Sequence, residues 1–429
     1  MMPQLMEWIH VIEQSQAYWI AVQFYGLYPI VTSLIWIVTA LIYYYHRDRR
    51  AEPYQAEGAA GEDLPFVSIL IPAYCEQASI GHSLEGLVSI DYPNYEVIVI
   101  NDGSPDRTAE EVKPFLSDPR VRFIDKRVNE GKAMALNDAI PCARGELLLV
   151  MDADSIPAPG LIRNLVPHFR DPNVGAVAGN PRVRNRRNLL AKLQAVEFSS
   201  VIGLMRRAQR VWGQVMCVPG VCGLFRKSAI VQAGMFSPGM ATEDIDLTWK
   251  LQMNGYDVRY EARAMVWMEV PESVKVLWKQ RTRWALGLGQ VLRRHVRVLW
   301  TVKFMRLYPI FVESFLSVVW AWTFVSLTAF WLLCFALSHN PLGGSLIPNY
   351  WGLLLFLCCL LQLSCGVWVD SKYDPDLPPE LYVSVFYPSF YWMLMASSSC
   401  FYTTKGMLRR LDLKSPTRWR IQRSQDAAA

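Results

Sequence analysis

Little in this chain supports a disulfide scaffold, a metal cage or a polyanion-binding surface. Its nine cysteines are an odd number, none stands in a Cys-x-x-Cys pair, and none groups with any of the six histidines; zinc-type ligand spacing is absent. Cys334, Cys358, Cys359, Cys365 and Cys400 lie inside apolar runs, which reads as packed free thiols in a reduced or lipid environment. A net charge of +5 over 429 residues is too small to make the whole chain a nucleic-acid binder. Met1–Gln16 contains Glu7 and Glu13 and lacks a basic start and a cleavage site, so it does not read as a signal peptide. Internal repeats and low-complexity tracts are lacking too.

What is present is apolar and aromatic. Apolar residues make up 52 % of the chain, with 16 Trp and 19 Tyr, a composition suited to membrane helices with interfacial anchors. Residues 18–45 carry no charge, enough to span a bilayer with some tilt. HRDRR stands next, at 46–50, and the positive-inside tendency places the segment after it in the cytoplasm. The expected organisation is an amphipathic and membrane-spanning region at 1–50 and a small polar linker at 51–63. Next come an α/β unit at 64–270, a basic interfacial segment at 271–306, membrane helices at 307–404 and a basic tail at 405–429.

The interfacial segment, residues 273–300, interleaves Trp, Leu and Val with seven Lys or Arg and suits an anionic leaflet better than a nucleic acid. Three apolar stretches come after it, at roughly 310–337, 350–369 and 381–402. Three complete crossings from a cytoplasmic domain would put the C-terminus outside, whereas LRRLDLKSPTRWRIQR at 408–423 is basic enough to stay inside. Either one stretch is re-entrant or interfacial, or the tail escapes the rule.

Between 64 and 270, buried-strand patterns alternate with helical ones. FVSILIPAY, YEVIVIND, VRFID and ELLLVMDAD read as strands, and ASIGHSLEGLVSI, PDRTAEEVKPFL and KAMALNDAIPCA as helices. Continuous apolar strands between helices predict a mainly parallel sheet covered on both faces. Ligands bind such sheets at the carboxyl ends of the strands, where several acidic motifs fall.

Asp102 in NDGS ends the second strand and could accept a hydrogen bond from a base or ribose. Asn-Asp-Gly-Ser is equally good turn chemistry. Asp152 and Asp154 in DAD come after a buried strand; if the strand ends there, Asp154 can hold a hard divalent cation on a diphosphate while Asp152 faces the nucleotide. In TED, Glu243 and Asp244 precede a helical pattern. They fit the acids of a first helical turn and also a general base, for which Asp244 is preferred. In QRTRW, Gln280 and Arg283 can meet a diphosphate, and Trp284 offers a flat face to a sugar ring. Lys132 in NEGKA is a phosphate contact in this reading. Tyr74 and Glu76, after the first strand, can stack on and hydrogen-bond a base.

IPAYCE, NDGS, NEGKA, DAD, TED and QRTRW, in that order from about 64 to 405, resemble the processive family-2 glycosyltransferases. That group has a GT-A fold and includes cellulose, chitin and hyaluronan synthases. Gln280, Arg283 and Trp284 form the Q-x-x-R-W element that marks its processive members. Residues 179–210 and 240–252 are similar to those of bacterial synthases of poly-β-1,6-N-acetylglucosamine. The resemblance implies UDP-GlcNAc as donor, a growing glycan as acceptor, inversion, and Mg²⁺ or Mn²⁺. It further implies a multi-pass protein of the bacterial inner membrane with a cytoplasmic catalytic domain, and glycan passage through its own helices.

Carried over, Tyr74, Glu76, Asp102, Lys132, Asp152, Gln280 and Arg283 hold the donor, Asp154 the metal, and Trp284 and Gly220 the acceptor. Asp244 is the base, with Glu243 beside it. Another β-glycan as product, or transfer of one sugar to a lipid carrier, is the alternative. The N-terminal region shows one clear span where relatives often show two. Arg409 and Arg410 are not followed by the D/N-x-S-x-x-G of a cyclic-dinucleotide module, so regulation by cyclic di-GMP implies a small membrane partner that completes the site.

Overall fold

Apolar runs rich in Val, Ile and Leu, without polar alternation, need cover on both sides, and here they build the centre of one sheet. The structure, a computed structural model, describes residues 2–50, 64–337, 349–412 and 417–418. The linker 51–63, the connection 338–348 and tail residues 413–416 and 419–429 lie outside the described residues, with the readings made of them.

Strands β1 (Val67–Ala73), β2 (Tyr95–Asp102), β3 (Val121–Lys126), β4 (Leu147–Val150), β5 (Ile156–Pro157), β6 (Val174–Val183), β7 (Gly223–Arg226) and β8 (Asp257–Met268) form an eight-stranded sheet ordered β3-β2-β1-β4-β7-β6-β8-β5. Strands β3, β2, β1 and β4 run parallel, as do β6 and β8. Strand β7 is antiparallel to both its neighbours, and β5 to β8. All residues of β1 and β2 are buried. The side chains divide as strand alternation requires. Val97 and Val99 join one apolar core with Leu84 and Leu87, and Ile98 and Ile100 join another with Leu136 and Ile140.

The antiparallel β4/β7 pairing matters for the site. Val150 pairs with Gly223, so the turn leaving β4 lies beside the residues entering β7. Sequence pattern predicted a mainly parallel sheet; it did not predict this reversal.

The principal helices are α1 (Met2–Gln14), α2 (Gln16–Tyr43), α3 (Ile80–Val88), α4 (Lys132–Cys142), α5 (Leu189–Glu197), α6 (Met205–Val211), α7 (Glu243–Met253), α8 (Val274–Arg294), α9 (Tyr308–Ala336) and α10 (Asn349–Asp370). Among the described residues three helical stretches are long and apolar enough to cross a membrane: Gln16–Asp48, Val302–Ala336 and Trp351–Asp370. They pack through aromatic rings. Tyr25 stacks on Phe324 at 5.8 Å and meets Trp331 edge-on at 5.4 Å. Trp331 Nε1 donates to Tyr18 Oη at 3.1 Å. Val31, Leu34, Val38 and Ile42 of α2 stay exposed, as a lipid-facing side would.

The apolar stretch 381–402 is not a fourth such helix. It is broken into the 3₁₀ segment Pro378–Phe386, the π turns Tyr387–Tyr391 and Ser399–Thr403, and the short helices Trp392–Ser398 and Thr404–Leu408. Pro378, Pro379 and Pro388 each lack the N–H a regular helix would use. Both of its ends lie against the α/β unit and α8. Asp374 pairs with Arg186, and Arg293 Nη1 donates to the carbonyls of Met407, Leu408 and Arg409. The stretch therefore leaves and returns on the side of the α/β unit.

The sheet and the long apolar helices are joined by a buried ionic cluster. Arg207 Nε donates to Asp48 Oδ2 at 2.5 Å, and Arg207 Nη1 lies 2.8 Å from Asp370 Oδ1. Arg182 Nη2 lies 2.5 Å from Asp370 Oδ2. Asp48 lies just beyond α2, Asp370 ends α10, Arg182 belongs to β6 and Arg207 to α6. Each charge needs the others, because an unpaired charge at this depth is costly.

Candidate active site

The site lies where the carboxyl ends of β1, β2 and β4 meet the start of α7. Strand β4 ends at Val150, so the DAD triplet is a turn, closed by Ser155 N–H donating to Asp152 O at 3.2 Å. Asp152 is the more open of its two acids. Asp154 is buried and accepts from Ser155 Oγ at 3.2 Å. Lys132 begins α4 and reaches across to this turn: its Nζ donates to Asp152 Oδ1 at 2.5 Å and to Gly220 O at 3.2 Å, and lies 4.0 Å from Glu243 Oε1. Burial would push the Lys132 ammonium down, but the Asp152 and Glu243 carboxylates hold it above its usual range.

Gly220 links the two halves of the site. Its carbonyl accepts from Lys132, and its N–H donates to Asp244 Oδ2 at 3.3 Å. A Cβ there would stand 2.7 Å from Lys132 Nζ, so a side chain would displace the lysine. Asp244 Oδ2 also accepts from Cys217 Sγ at 3.5 Å. Asp244 is half-buried in the first turn of α7, where the helix dipole favours a negative charge. Glu243 is more enclosed, and burial pushes its carboxyl up against the opposing effect of Lys132. Of the two acids, Asp244 is the more exposed.

Asp102 is 1 % exposed, and its oxygens accept from Glu130 N at 3.1 Å and Gly131 N at 2.7 Å. It thereby clamps the turn that presents Lys132, a role the sequence alone did not suggest. Gly131 has φ +88°, and a Cβ on it would meet the Thr417 carbonyl oxygen at 2.2 Å. The tail therefore returns to the site, where Thr417 N–H also donates to Pro238 O at 2.8 Å. Tyr74 and Glu76 flank Cys75, which adopts φ +57° and donates its N–H to Ser104 Oγ at 3.0 Å. That bond ties the end of β1 to the NDGS turn. Glu76 is buried and accepts from Ser79 Oγ at 2.6 Å.

Helix α8 closes the site from the other side. Arg283 Nη1 donates to Ala241 O at 3.1 Å, directly before TED. Gly287 lies against Thr242, where a Cβ would come within 2.3 Å of its Oγ1, and Gln290 Oε1 accepts from Ala241 N at 2.8 Å. Deeper in the same contact, Asp246 accepts from Ser237 Oγ at 2.7 Å and from Arg294 Nη1 at 3.0 Å, and bonds His295 Nε2 at 2.8 Å. Burial opposes ionisation of Asp246, but His295, Lys250 and Arg294 hold its carboxyl below the usual range. Gln280 and Trp284 are half-buried on α8.

Lys132, Asp152, Gly220, Glu243 and Asp244 are thus joined directly. Asp154 and Arg283 are attached through the elements that carry these residues. Sequence reasoning missed Cys217, Gln290 and the pairing around Arg281, since none stands in an acidic motif. The i, i+3 spacing of Arg281 and Trp284 was the one signal that could have found the last of these.

No group of three or more His, Cys, Asp or Glu among the described residues is placed to hold a metal ion. Asp152 and Asp154 supply hard oxygen ligands, and Mg²⁺ is commonly held by one or two carboxylates plus substrate phosphates. The residues fit a divalent cation that arrives with, or is completed by, a diphosphate.

Residues 65–287 match the model described as glycosyltransferase like family 2. The chain is similar to a protein named poly-beta-1,6-N-acetyl-D-glucosamine synthase from Staphylococcus epidermidis, 32 % identical over 407 residues, covering 92 % of this chain and 98 % of that one. A protein of the same name from Staphylococcus aureus (strain COL) is 32 % identical over 404 residues, with the same coverage. Among solved structures, a mannosyltransferase from Pyrobaculum calidifontis in complex with GDP-Man and Mn²⁺ has a TM-score of 0.60 at 21 % identity, covering 89 % of this chain and 99 % of that one. That likeness establishes the GT-A-like fold. With the sheet, the Asp244 turn and the Q-x-x-R-W helix in one site, the chain belongs to the family-2 glycosyltransferases.

Proposed function

We propose that this enzyme extends a β-1,6-linked poly-N-acetylglucosamine chain from UDP-GlcNAc, with inversion, in the bacterial inner membrane. One observation carries the reading: a single residue, Gly220, joins the lysine of the donor side to the carboxylate of the acceptor side. The relatives' shared name supports the choice of sugar and linkage.

In the reaction the 6-hydroxyl of the chain end attacks C1 of the donor sugar. The C1–O bond to the diphosphate breaks, UDP leaves with the bonding electrons, and Asp244 takes the hydroxyl proton. Attack opposite the leaving group turns the α-linked donor into a β-linked residue. Lys132 and Arg283 bring positive charge to the departing diphosphate, and Asp152 orients Lys132 toward it. Asp102 acts by holding the Gly131–Lys132 turn, while Tyr74 and Glu76 border the place of the base. A Mg²⁺ or Mn²⁺ ion held by Asp154 would neutralise diphosphate charge. Trp284 and Gly220 face the acceptor.

The three long apolar helices are the membrane spans in this reading, and they carry the glycan outward. The basic face of α8 rests on the cytoplasmic leaflet. Arg409 and Arg410 are exposed and accessible to a small membrane partner, through which cyclic di-GMP would act. Full activity of the isolated chain without partner or dinucleotide would remove that element.

The test is incorporation of labelled GlcNAc from UDP-GlcNAc into polymer by membranes containing this chain, with UDP-Glc and UDP-GlcA as controls. Polymer from UDP-GlcNAc alone, cleaved by a β-1,6-specific hydrolase, supports the reading; polymer from another donor replaces it. Chelation of divalent cations should abolish incorporation, and Mg²⁺ or Mn²⁺ should restore it. Asp154→Ala should require much higher cation concentrations, and an unchanged cation requirement would count against Asp154. Gly220→Ala should displace Lys132 and weaken UDP binding roughly 10-fold, as loss of a charge-assisted hydrogen bond does; calorimetry with UDP reads this directly.

A further inference from the structure

Arg281 and Trp284 are three residues apart on α8, so they share a helix face. Arg281 is 4 % exposed, and its guanidinium stands over the Trp284 ring, 4.4 Å from the centroid. Two hydrogen-bond partners hold it. Its Nη2 donates to Glu197 Oε2 at 2.6 Å and to Tyr391 Oη at 2.9 Å. Tyr391 Oη donates to the same Glu197 oxygen at 2.6 Å. The Tyr391 ring in turn stacks on Tyr387 at 4.9 Å. Glu197 ends α5 on the catalytic unit, whereas Tyr387 and Tyr391 belong to the broken stretch that returns after α10. Glu197, Arg281 and Tyr391 are all buried, so none of this binding is shared with solvent.

A buried guanidinium is usually matched for charge alone, and Glu197 does that. Its placement over a half-buried tryptophan does something more. The cation occupies part of one ring face and fixes the plane of the indole, leaving the open part to a ligand. We propose that Arg281, pinned by Glu197 and Tyr391, is a positioning residue for the acceptor: it sets the plane of Trp284 and thus the register of the sugar resting there. The inference rests on Trp284 as the acceptor platform. Because Tyr391 lies on the membrane-side stretch, the same clamp couples the platform to the elements that receive the elongated chain.

The experiment uses the full chain in membranes, with UDP-GlcNAc and β-1,6-linked GlcNAc oligomers of defined length. Arg281→Lys keeps the charge opposite Glu197 and loses the planar face. Tyr391→Phe keeps the ring stack and loses both hydroxyl bonds, so it tests the clamp should the lysine variant fold poorly. Both should raise the KM for the oligomer by about 2- to 30-fold, the range of a cation–π contact. They should also shorten the polymer and increase UDP-GlcNAc hydrolysis per transfer, with UDP affinity unchanged. Unchanged oligomer KM and polymer length in both variants would overturn the proposal, as would parallel loss of UDP affinity and transfer. Trp284→Ala separates the two levels. If it leaves oligomer KM and polymer length unaltered, the acceptor platform itself is misplaced; if it shifts them while the other two variants do not, only the role of Arg281 falls.

Discussion

Asp244→Asn should bind UDP-GlcNAc as the wild type does and transfer it about 10²- to 10⁴-fold more slowly, the usual contribution of a general base. The amide matches the carboxylate in shape, and its oxygen can still accept the Gly220 N–H, at the expense of the Ile245 N–H bond to the other oxygen, a local cost at the head of α7. What it cannot do is take the proton of the attacking hydroxyl. The measurement pairs UDP calorimetry with initial rates of polymer formation. Loss of UDP affinity in a folded variant would mean that Asp244 serves the donor instead. Glu243→Gln is the informative companion. Glu243 lies 4.0 Å from Lys132, so its neutralisation should change UDP affinity more than the proton-transfer step.

Asp370→Ala should destabilise the protein by about 3–5 kcal/mol, as removal of one partner from a buried ion pair does. Asp370 is fully buried between Arg182 and Arg207, at 2.5 and 2.8 Å. Without it two guanidinium groups face each other with Asp48 alone to balance them. A lowered thermal midpoint in detergent, together with reduced membrane yield, is the readout. The exposed pair Arg107–Glu110 provides the contrast: Glu110→Ala should leave the midpoint where it was, because solvent screens that pair. A variant at Asp370 as stable as wild type would show that the cluster does not join the sheet to the long apolar helices.

Both experiments concern residues whose meaning depends on distance in space. Asp244 could be singled out in the sequence because an acid triplet opened a helical pattern after a loop. Asp370 could not, since an aspartate at the end of an apolar run reads as an ordinary helix terminus. Its partners lie 163 and 188 positions earlier in the chain, at Arg207 and Arg182.

The sequence by itself determined the local events. Val- and Ile-rich runs of seven or eight residues with no polar alternation had to be strands covered on both faces. Turn residues placed NDGS and DAD at strand ends, and long uncharged stretches formed helices long and apolar enough to cross a membrane. These arise from short-range patterning, where each residue's environment is set by its neighbours at fixed spacing. Tertiary structure decided the rest. The antiparallel entry of β7 beside β4 put Gly220 between Lys132 and Asp244. The prolines and π turns of 378–408 made the last apolar stretch return on its own side. Two partners from separate elements, Glu197 and Tyr391, fixed Arg281, one arginine among the seven basic residues of 273–300, over the Trp284 ring. Strand order, chain reversal and buried charge pairing depend on which surfaces meet, and residues far apart in sequence carry no local pattern that reveals it.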